Sequence, residues 1–362
     1  MKFVLTIVSV ILVSVITYIH TPKFGSLPDG NRLERIKKST NYKNGQFHNI
    51  HPKDLAKPVG FLKTCSILFK IILSIVGNQE KARNEIPSTK TNLINLNKME
   101  DVLIWFGHSS YFIQIEGLRI MVDPVFSEVS SPIPFFPKAF PGTNVYTTSD
   151  IPDIDYLVIT HDHWDHLDYE TVKKLKISKI ICPLGVGAHL ERWGFNKEII
   201  IEMDWHETVV FDNGFKIHCL PARHFSGRGF LRNKSLWASF LMESPNCFKI
   251  FMGGDGGYDT HFRDIGKKFN SIDLAVLENG QYNENWKNIH MHPKETIRAA
   301  KDLKARAVLP VHNSKFALST HLWYEPLENI VEFGKELKIL TPMIGEKVDL
   351  KNKEQKFKKW WR

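Results

Sequence analysis

From residue 101 onward, apolar and polar positions change in short runs, the pattern of buried or half-buried strands rather than long helices. Val102 to Phe106, Tyr111 to Ile115 and Leu118 to Val122 read as a meander, with Glu116-Gly117 as the tight turn between the last two. Further strands are predicted at 156–160, 179–182, 199–202, 208–211, 215–220, 236–243, 248–252, 273–277 and 307–311. Helices are predicted near 168–175, 186–193, 293–303 and 326–338. This order predicts an α/β fold of two sheets covered by outer helices. No internal repeat or low-complexity stretch is present.

The N-terminal part is patterned differently. Phe3 to Ile19 is an unbroken run of apolar and hydroxyl residues behind Lys2, near the lower length limit of a spanning helix and longer than most signal-peptide cores. No small-residue cleavage site follows at Tyr18-Ile19-His20-Thr21, so residues 1–22 are expected to form an uncleaved transmembrane anchor. Its orientation stays open, because Lys2 favours a cytoplasmic start while Lys23, Arg32, Arg35, Lys37 and Lys38 follow on the other side. An extension over 23–100 contains Phe61 to Val76, apolar but interrupted by Lys63 and Lys70, expected as an interfacial or core-packing helix. The polar residues 78–100 are expected to link into a catalytic domain over 101–345.

With 362 residues and 43% apolar content, the chain can bury one large α/β core plus N-terminal additions. The net charge of +9 fits anionic partners such as a membrane surface, and equally a solvated basic surface, because the lysines are dispersed. The tail over 346–362 is more biased: between Lys351 and Arg362 six basic residues flank Phe357, Trp360 and Trp361. A lipid interface, a nucleic acid or an unstructured basic tail all fit that composition. No nucleic-acid-binding motif is recognisable, and no nucleic-acid partner is expected. Cys65, Cys182, Cys219 and Cys247 are scattered without Cys-x-x-Cys spacing, so neither a disulfide framework nor a thiolate metal site is expected.

The candidate chemistry lies in Thr160-His161-Asp162-His163-Trp164-Asp165-His166-Leu167-Asp168, directly after the apolar run Tyr156 to Ile159. Three imidazoles and a carboxylate within six residues can supply ligands to two adjacent metal ions. Three more candidates stand at later strand ends: His224 after 215–220, Asp255 between glycines after 248–252, and His312 after 307–311. Alone, each would more often be structural; their shared position makes them ligand candidates.

With these residues in place, the chain resembles the metallo-β-lactamase-fold hydrolases. It is most similar to the branch containing N-acylphosphatidylethanolamine-hydrolysing phospholipase D and the ascorbate-phosphate lactonase-like proteins. The resemblance spans about residues 35 to 325 and is carried by Trp105 to Ser110, Val122 to Ser127, Ser130-Ser131-Pro132, Pro221 to Ser239 and His312 to Leu318, with Asn41 to Phe47 matching an N-terminal signature. It implies an αββα sandwich with a dinuclear site at one edge. One metal would be held by His161, His163 and His224, the other by Asp165, His166 and His312, with Asp255 bridging both. Zinc is the expected metal, with manganese or iron compatible with the same donors.

The implied chemistry is hydrolysis by a hydroxide held between two cations, with Asp165 also orienting the nucleophile or carrying its proton. Asp123 is expected to support a ligand, and His108 either does the same or has no role. His290 matches a family histidine near the reacting group, and is read as a substrate-contact or acid/base residue or as a helix cap; His292 and His321 are weaker candidates. The chain departs from the branch pattern at Asp255-Gly256-Gly257-Tyr258 and at Glu278 to Asn283, where polar groups are expected to line the substrate pocket. The function expected is hydrolysis of a phosphodiester, with an N-acylphosphatidylethanolamine-like phospholipid as the substrate the resemblance implies, by a membrane-associated protein of a bacterial inner membrane. A lactonase or esterase acting on a small acyl substrate is the alternative, and a basic module holding structural metal is the non-enzymatic one. The sequence leaves the oligomeric state open.

Overall fold

A computed structural model describes residues 2–51, 73, 77 and 84–362. The predicted segment Phe61 to Val76 therefore lies, apart from Leu73, outside the described residues. The chain begins with helices α1 (Lys2–Ile19) and α2 (Gly30–Lys37) and a small hairpin of β1 (Tyr42–Lys43) and β2 (Gln46–Phe47). The first half of the main body then lays down β3 (Val102–Trp105), β4 (Tyr111–Ile115), β5 (Leu118–Val122), β6 (Ile154–Val158), α3 (Tyr169–Val172), β7 (Ile177–Pro183), α4 (Gly187–Arg192) and β8 (Ile200–Met203). The second half continues with β9 (Thr208–Val210), β10 (Lys216–Leu220), β11 (Ser239–Glu243), β12 (Lys249–Met252), α5 (His261–Phe269), β13 (Ile272–Glu278), α6 (Pro293–Asp302), β14 (Ala305–Val311), α7 (Glu325–Phe333), β15 (Lys338–Ile339) and β16 (Lys347–Asp349).

Two seven-stranded sheets result, in the orders β16-β3-β4-β5-β6-β7-β8 and β15-β14-β13-β12-β11-β10-β9. In each, an antiparallel portion passes into a parallel one, at β5/β6 and at β12/β13. The strands are buried on both faces, so they read as nearly continuous apolar runs. Leu103, Trp105, Ile113 and Val158 face the other sheet and meet Ile217, Phe240, Met252 and Val276. The alternate positions Ile104, Phe112 and Leu157 face outward against Val172, Leu190 and Trp193. On the far side, Leu241, Phe251 and Ala275 pack under Phe262, Ile265, Ala299 and Leu303. Each large apolar side chain so buried contributes roughly 1.5–3 kcal/mol. The layers are helix, sheet, sheet, helix.

The order of strands follows the pattern reading closely, and the differences are local. The helix expected over 168–175 is only one turn, Tyr169–Val172, and α5 went unpredicted because its apolar positions are interleaved with Arg263, Asp264, Lys267 and Lys268. The strands β15 and β16 were missed because each is shorter than the window in which alternation can be recognised.

The tail is corrected more substantially. The strand β16 pairs antiparallel with β3, and Trp360 and Trp361 are buried. The Trp360 Nε1–H donates to the Thr341 carbonyl at 3.0 Å, and the Trp361 Nε1–H to Glu328 Oε2 at 2.9 Å. Its tryptophans close one end of the core instead of facing lipid or nucleic acid.

The expected transmembrane anchor is not supported. The helix α1 spans 18 residues, about 27 Å at 1.5 Å per residue against a hydrocarbon layer of about 30 Å. No helix among the described residues is long and apolar enough to cross a membrane. Phe3, Leu5, Val10 and Val13 on it are exposed. Its C-terminal end is held by the body: Trp193 Nε1–H donates to Pro22 O at 2.7 Å, and Arg192 Nη2 to His20 O at 2.8 Å.

Candidate metal centre

The C-terminal ends of the parallel strands from both sheets meet at one edge of the sandwich. The strand β6 runs directly into the His161–His166 loop, while His224, Asp255 and His312 follow β10, β12 and β14. A two-way backbone exchange joins the sheets there: His108 N–H donates to Asn313 O at 2.9 Å and His312 N–H to His108 O at 2.8 Å. His108 and His312 both take left-handed backbone angles, φ 51° and 66°, which non-glycine residues adopt only when the surroundings enforce it. Glycines serve tight backbone crossings: a Cβ at Gly254 (φ +61°) would lie 2.8 Å from Thr160 Cβ, and one at Gly257 2.2 Å from the Asn288 carbonyl oxygen. They admit neighbouring chain segments at close approach.

The seven residues proposed as ligands from the sequence are brought together. His161 Nε2 lies 2.9 Å from His163 Nδ1, which lies 3.2 Å from His224 Nε2. The Asp255 carboxylate sits between the two sets: Oδ2 is 3.2 Å from His166 Nε2 and 3.8 Å from His224 Nε2, and Oδ1 is 3.1 Å from His312 Nδ1. Asp165 Oδ2 lies 3.6 Å from His166 Nε2. Within the groups His161/His163/His224, His161/His166/Asp255 and His108/Asp165/His166/His312, one donor atom per residue lies within 4.8 Å of the others. Bonds of about 2.0–2.2 Å to a shared ion require that spacing.

The donors fit a divalent metal. His166 Nε2 and Asp255 Oδ1 are buried without a hydrogen-bond partner, a costly state in a protein interior that a cation relieves. Burial pushes His161, His224 and His312 well below the usual imidazole range, reinforced by the neighbouring imidazoles. Burial likewise brings His163 down to about 4, against the pull of Asp165 and Asp162. Neutral imidazole is the form that ligates. His166 goes the other way: burial disfavours its charge, but Asp255, Asp165 and Asp123 together raise it well above the ordinary value. Burial raises the carboxyl of Asp255 to about 6.

A surrounding layer aims these donors. Asp123 Oδ2 accepts from His166 Nδ1 at 2.8 Å and from Thr160 Oγ1 at 2.6 Å, while Oδ1 accepts from Thr160 N–H at 2.8 Å. A carboxylate bonded this way directs the opposite ring nitrogen of His166 into the centre. His224 Nδ1 is turned to Ile289 O at 3.1 Å, and His108 Nε2 holds Asp165 Oδ2 at 2.8 Å. His108 is fully buried and touches Asp165 directly. Ser109 Oγ lies 2.9 Å from His312 Nδ1.

His290 stacks on His312 at 5.1 Å between ring centres and approaches His224 at 5.3 Å. The helix-capping alternative falls instead to His292, the N-cap of α6, paired with Glu295. His321 Nε2 accepts from Gln281 N–H at 2.7 Å, outside the centre. The expectation that Glu278 to Asn283 line a pocket is also corrected. Asn279 and Gln281 spend their amides on the carbonyls of Pro326 and Phe316, and Glu278 is buried behind His290. Glu278 went unrecognised as part of the centre, although it ends β13 just as Asp255 and His312 follow β12 and β14. Burial pushes its carboxyl up, opposed by the backbone N–H groups of Met291 and Gly256.

A groove of about 790 Å³ adjoins the centre, its walls including Phe24, Ile133, Trp164, Phe225, Phe230 and Leu231, with Arg228, Arg232 and Lys234 among them. Phe225 packs edge-on against His163 at 4.5 Å and so forms the partition between groove and centre. Arg228 lies over the Trp164 ring at 4.0 Å and donates to the carbonyls of Asp162 and Leu167, fixing the loop that carries the histidines. A second cavity of about 820 Å³, lined by residues such as Arg119, Asp153, Asp155 and Lys174, includes none of the site residues. It lies toward the starts of β5 and β6, the ends away from the histidine loop.

This fold and this edge site define a class of protein. A model of the beta-lactamase superfamily domain matches residues 118–313. An uncharacterised protein of Mycobacterium tuberculosis is 35% identical over 335 residues, 90% of this chain and 88% of its own. The N-acyl-phosphatidylethanolamine-hydrolyzing phospholipase D 1 of Caenorhabditis elegans is 28% identical over 312 residues, 77% of this chain and 86% of its own. Among solved structures, the metallo hydrolase Igni18 of Ignicoccus hospitalis shares the fold with a TM-score of 0.53 and 22% identity, covering 69% of this chain and 98% of that one. The chain belongs to the β-lactamase superfamily. Within it, the chain is a metal-dependent hydrolase of the branch that includes the N-acyl-phosphatidylethanolamine-hydrolysing phospholipases D.

Proposed function

We propose that the protein hydrolyses a phosphodiester of a phospholipid, with N-acylphosphatidylethanolamine as the model substrate. The observation that carries this reading is the groove beside the centre: apolar walls suited to an acyl chain, the exposed Arg232 suited to an anionic headgroup, and Phe225 lining the groove while packed against His163. The likeness to the nematode phospholipase supports the same substrate class.

In this reading His161, His163 and His224 would hold one divalent ion and Asp165, His166 and His312 a second, with Asp255 available to both; zinc would suit these donors. Such a pair supplies an activated water and neutralises charge on the phosphoryl oxygens. The chain's own groups do the rest. Asp123, His108 and the Ile289 carbonyl hold the donors in place. Asp165 receives or orients a proton of the attacking water, and His290, on the His312 side of the centre, contacts the reacting group. Phe225 and Trp164 keep bulk water from the groove side. Exposed Phe230 and Leu231 at the groove mouth, with the exposed apolar residues of α1, support association of this face with a lipid surface.

The test is metal analysis of the full chain, paired with hydrolysis of N-acylphosphatidylethanolamine in mixed micelles and of a small lactone. Bound divalent metal and chelator-sensitive release of phosphatidate, lost in Asp255→Ala, are expected. Turnover of the lactone but not the phospholipid would replace this reading with an esterase.

A further inference from the structure

Glu278 occupies the last position of β13 and is 1% exposed. Its Oε2 lies 2.9 Å from His290 Nδ1, and its Oε1 accepts the backbone N–H of Met291. The backbone N–H of Gly256, next to Asp255, also donates to this carboxylate. Its own carbonyl is tied to Thr296 Oγ1 at 3.1 Å, so the strand end, the start of α6 and the Asp255 loop are joined through one residue. The donor atoms of Asp255, Glu278, His290 and His312 all lie within 4.8 Å of one another.

The two backbone N–H groups can only donate, so the oxygens facing them accept. The remaining partner is the His290 ring, lying between His224 and His312. A ring that donates from Nδ1 to Glu278 keeps its lone pair on Nε2, the nitrogen on the far side of the ring. Without that bond both tautomers and several ring orientations are open to it.

We propose that Glu278 is the positioning residue for His290: it fixes the Nδ1–H tautomer and the ring plane, so that Nε2 presents an acceptor to the substrate. Glu278 itself touches no substrate. The role of His290 toward substrate rests on the hydrolase reading above; the tautomer does not. A bond of this kind around a site histidine typically contributes 10- to 100-fold in activity or metal affinity. Here the dependence falls on turnover, because neither residue is among the seven proposed ligands.

The experiment records long-range proton–nitrogen correlations of the zinc-loaded full chain labelled at histidine nitrogens, with His290 assigned by His290→Gln. The expected result is an Nδ1–H, Nε2-unprotonated ring for His290 that is lost or mixed in Glu278→Ala. Alongside, Glu278→Ala is expected to lower kcat 10- to 100-fold with KM within about twofold and zinc content unchanged. In a His290→Ala background the same change should cost less than about twofold. An Nε2–H ring in the unmutated protein, or multiplicative losses in the double variant, would overturn the proposal. If the chain turned over no phosphodiester, the spectra would still decide the tautomer, and only the function reading would fail.

Discussion

Asp123 Oδ2 lies 2.8 Å from His166 Nδ1. The same carboxylate takes both the backbone N–H and the hydroxyl of Thr160, so one residue at the end of β5 anchors the start of the histidine loop and aims its last imidazole. The pattern recurs around the centre, where buried groups on one sheet fix donors on loops of both.

Asp123→Ala should therefore weaken metal binding rather than only the fold. Loss of such a partner typically costs 10- to 100-fold in affinity. Competition titration of zinc against a chromophoric chelator would show it. An unchanged affinity would mean His166 is held by packing alone.

Removing metal should lower the unfolding midpoint, because the ions bind the folded centre and not the dispersed ligands of the unfolded chain. At free metal 100 times Kd, one site contributes about 2.7 kcal/mol. Calorimetry with chelator, then with zinc restored, would measure it. Equal midpoints in both states would argue against a metal site.

The metal-free protein should lose stability as the solution is acidified. His163 falls from 6.5 unfolded to about 4 folded, so between those values the unfolded chain binds more protons and stability rises with pH. His161, His224 and His312 are depressed in the same direction. Asp255 acts oppositely: its carboxyl is raised from 3.8 to about 6, so its contribution is present at low pH and lost as pH rises through about 6. His166, raised by its carboxylates, shares that sign. With four imidazoles against these two groups, the urea midpoint in chelator should be higher at pH 7 than at pH 4.5. A midpoint higher at pH 4.5 would show that the raised pair dominates.

Trp360→Ala should unfold more easily by about 3–5 kcal/mol, the usual cost of emptying a buried aromatic site. Trp360 stacks with Trp323 at 6.3 Å and lies 6.4 Å from Trp105 on β3. Urea unfolding checks the stability, and sedimentation with anionic vesicles checks that lipid binding is not reduced. A stable variant that no longer bound vesicles would restore the lipid-facing reading of the tail.

The strands, their order and the histidine loop were legible in the sequence because each is a local signal. Doubly buried strands must be apolar over consecutive positions, and His161 to His166 pack their donors into one turn of chain. The seven ligand candidates followed from that cluster, from strand-end positions and from family resemblance. What lay beyond local pattern was decided by contacts between distant segments. Glu278 looked like a pocket-lining residue until the fold placed it 2.9 Å from His290, twelve residues on. Trp360 and Trp361 carried the composition of a lipid-facing tail, and only the pairing of β16 with β3 turned them into core. A side chain's identity sets which bonds it can make. Which partner it meets depends on sheet order and on the direction each loop leaves its strand, and those emerge only when the whole chain is packed.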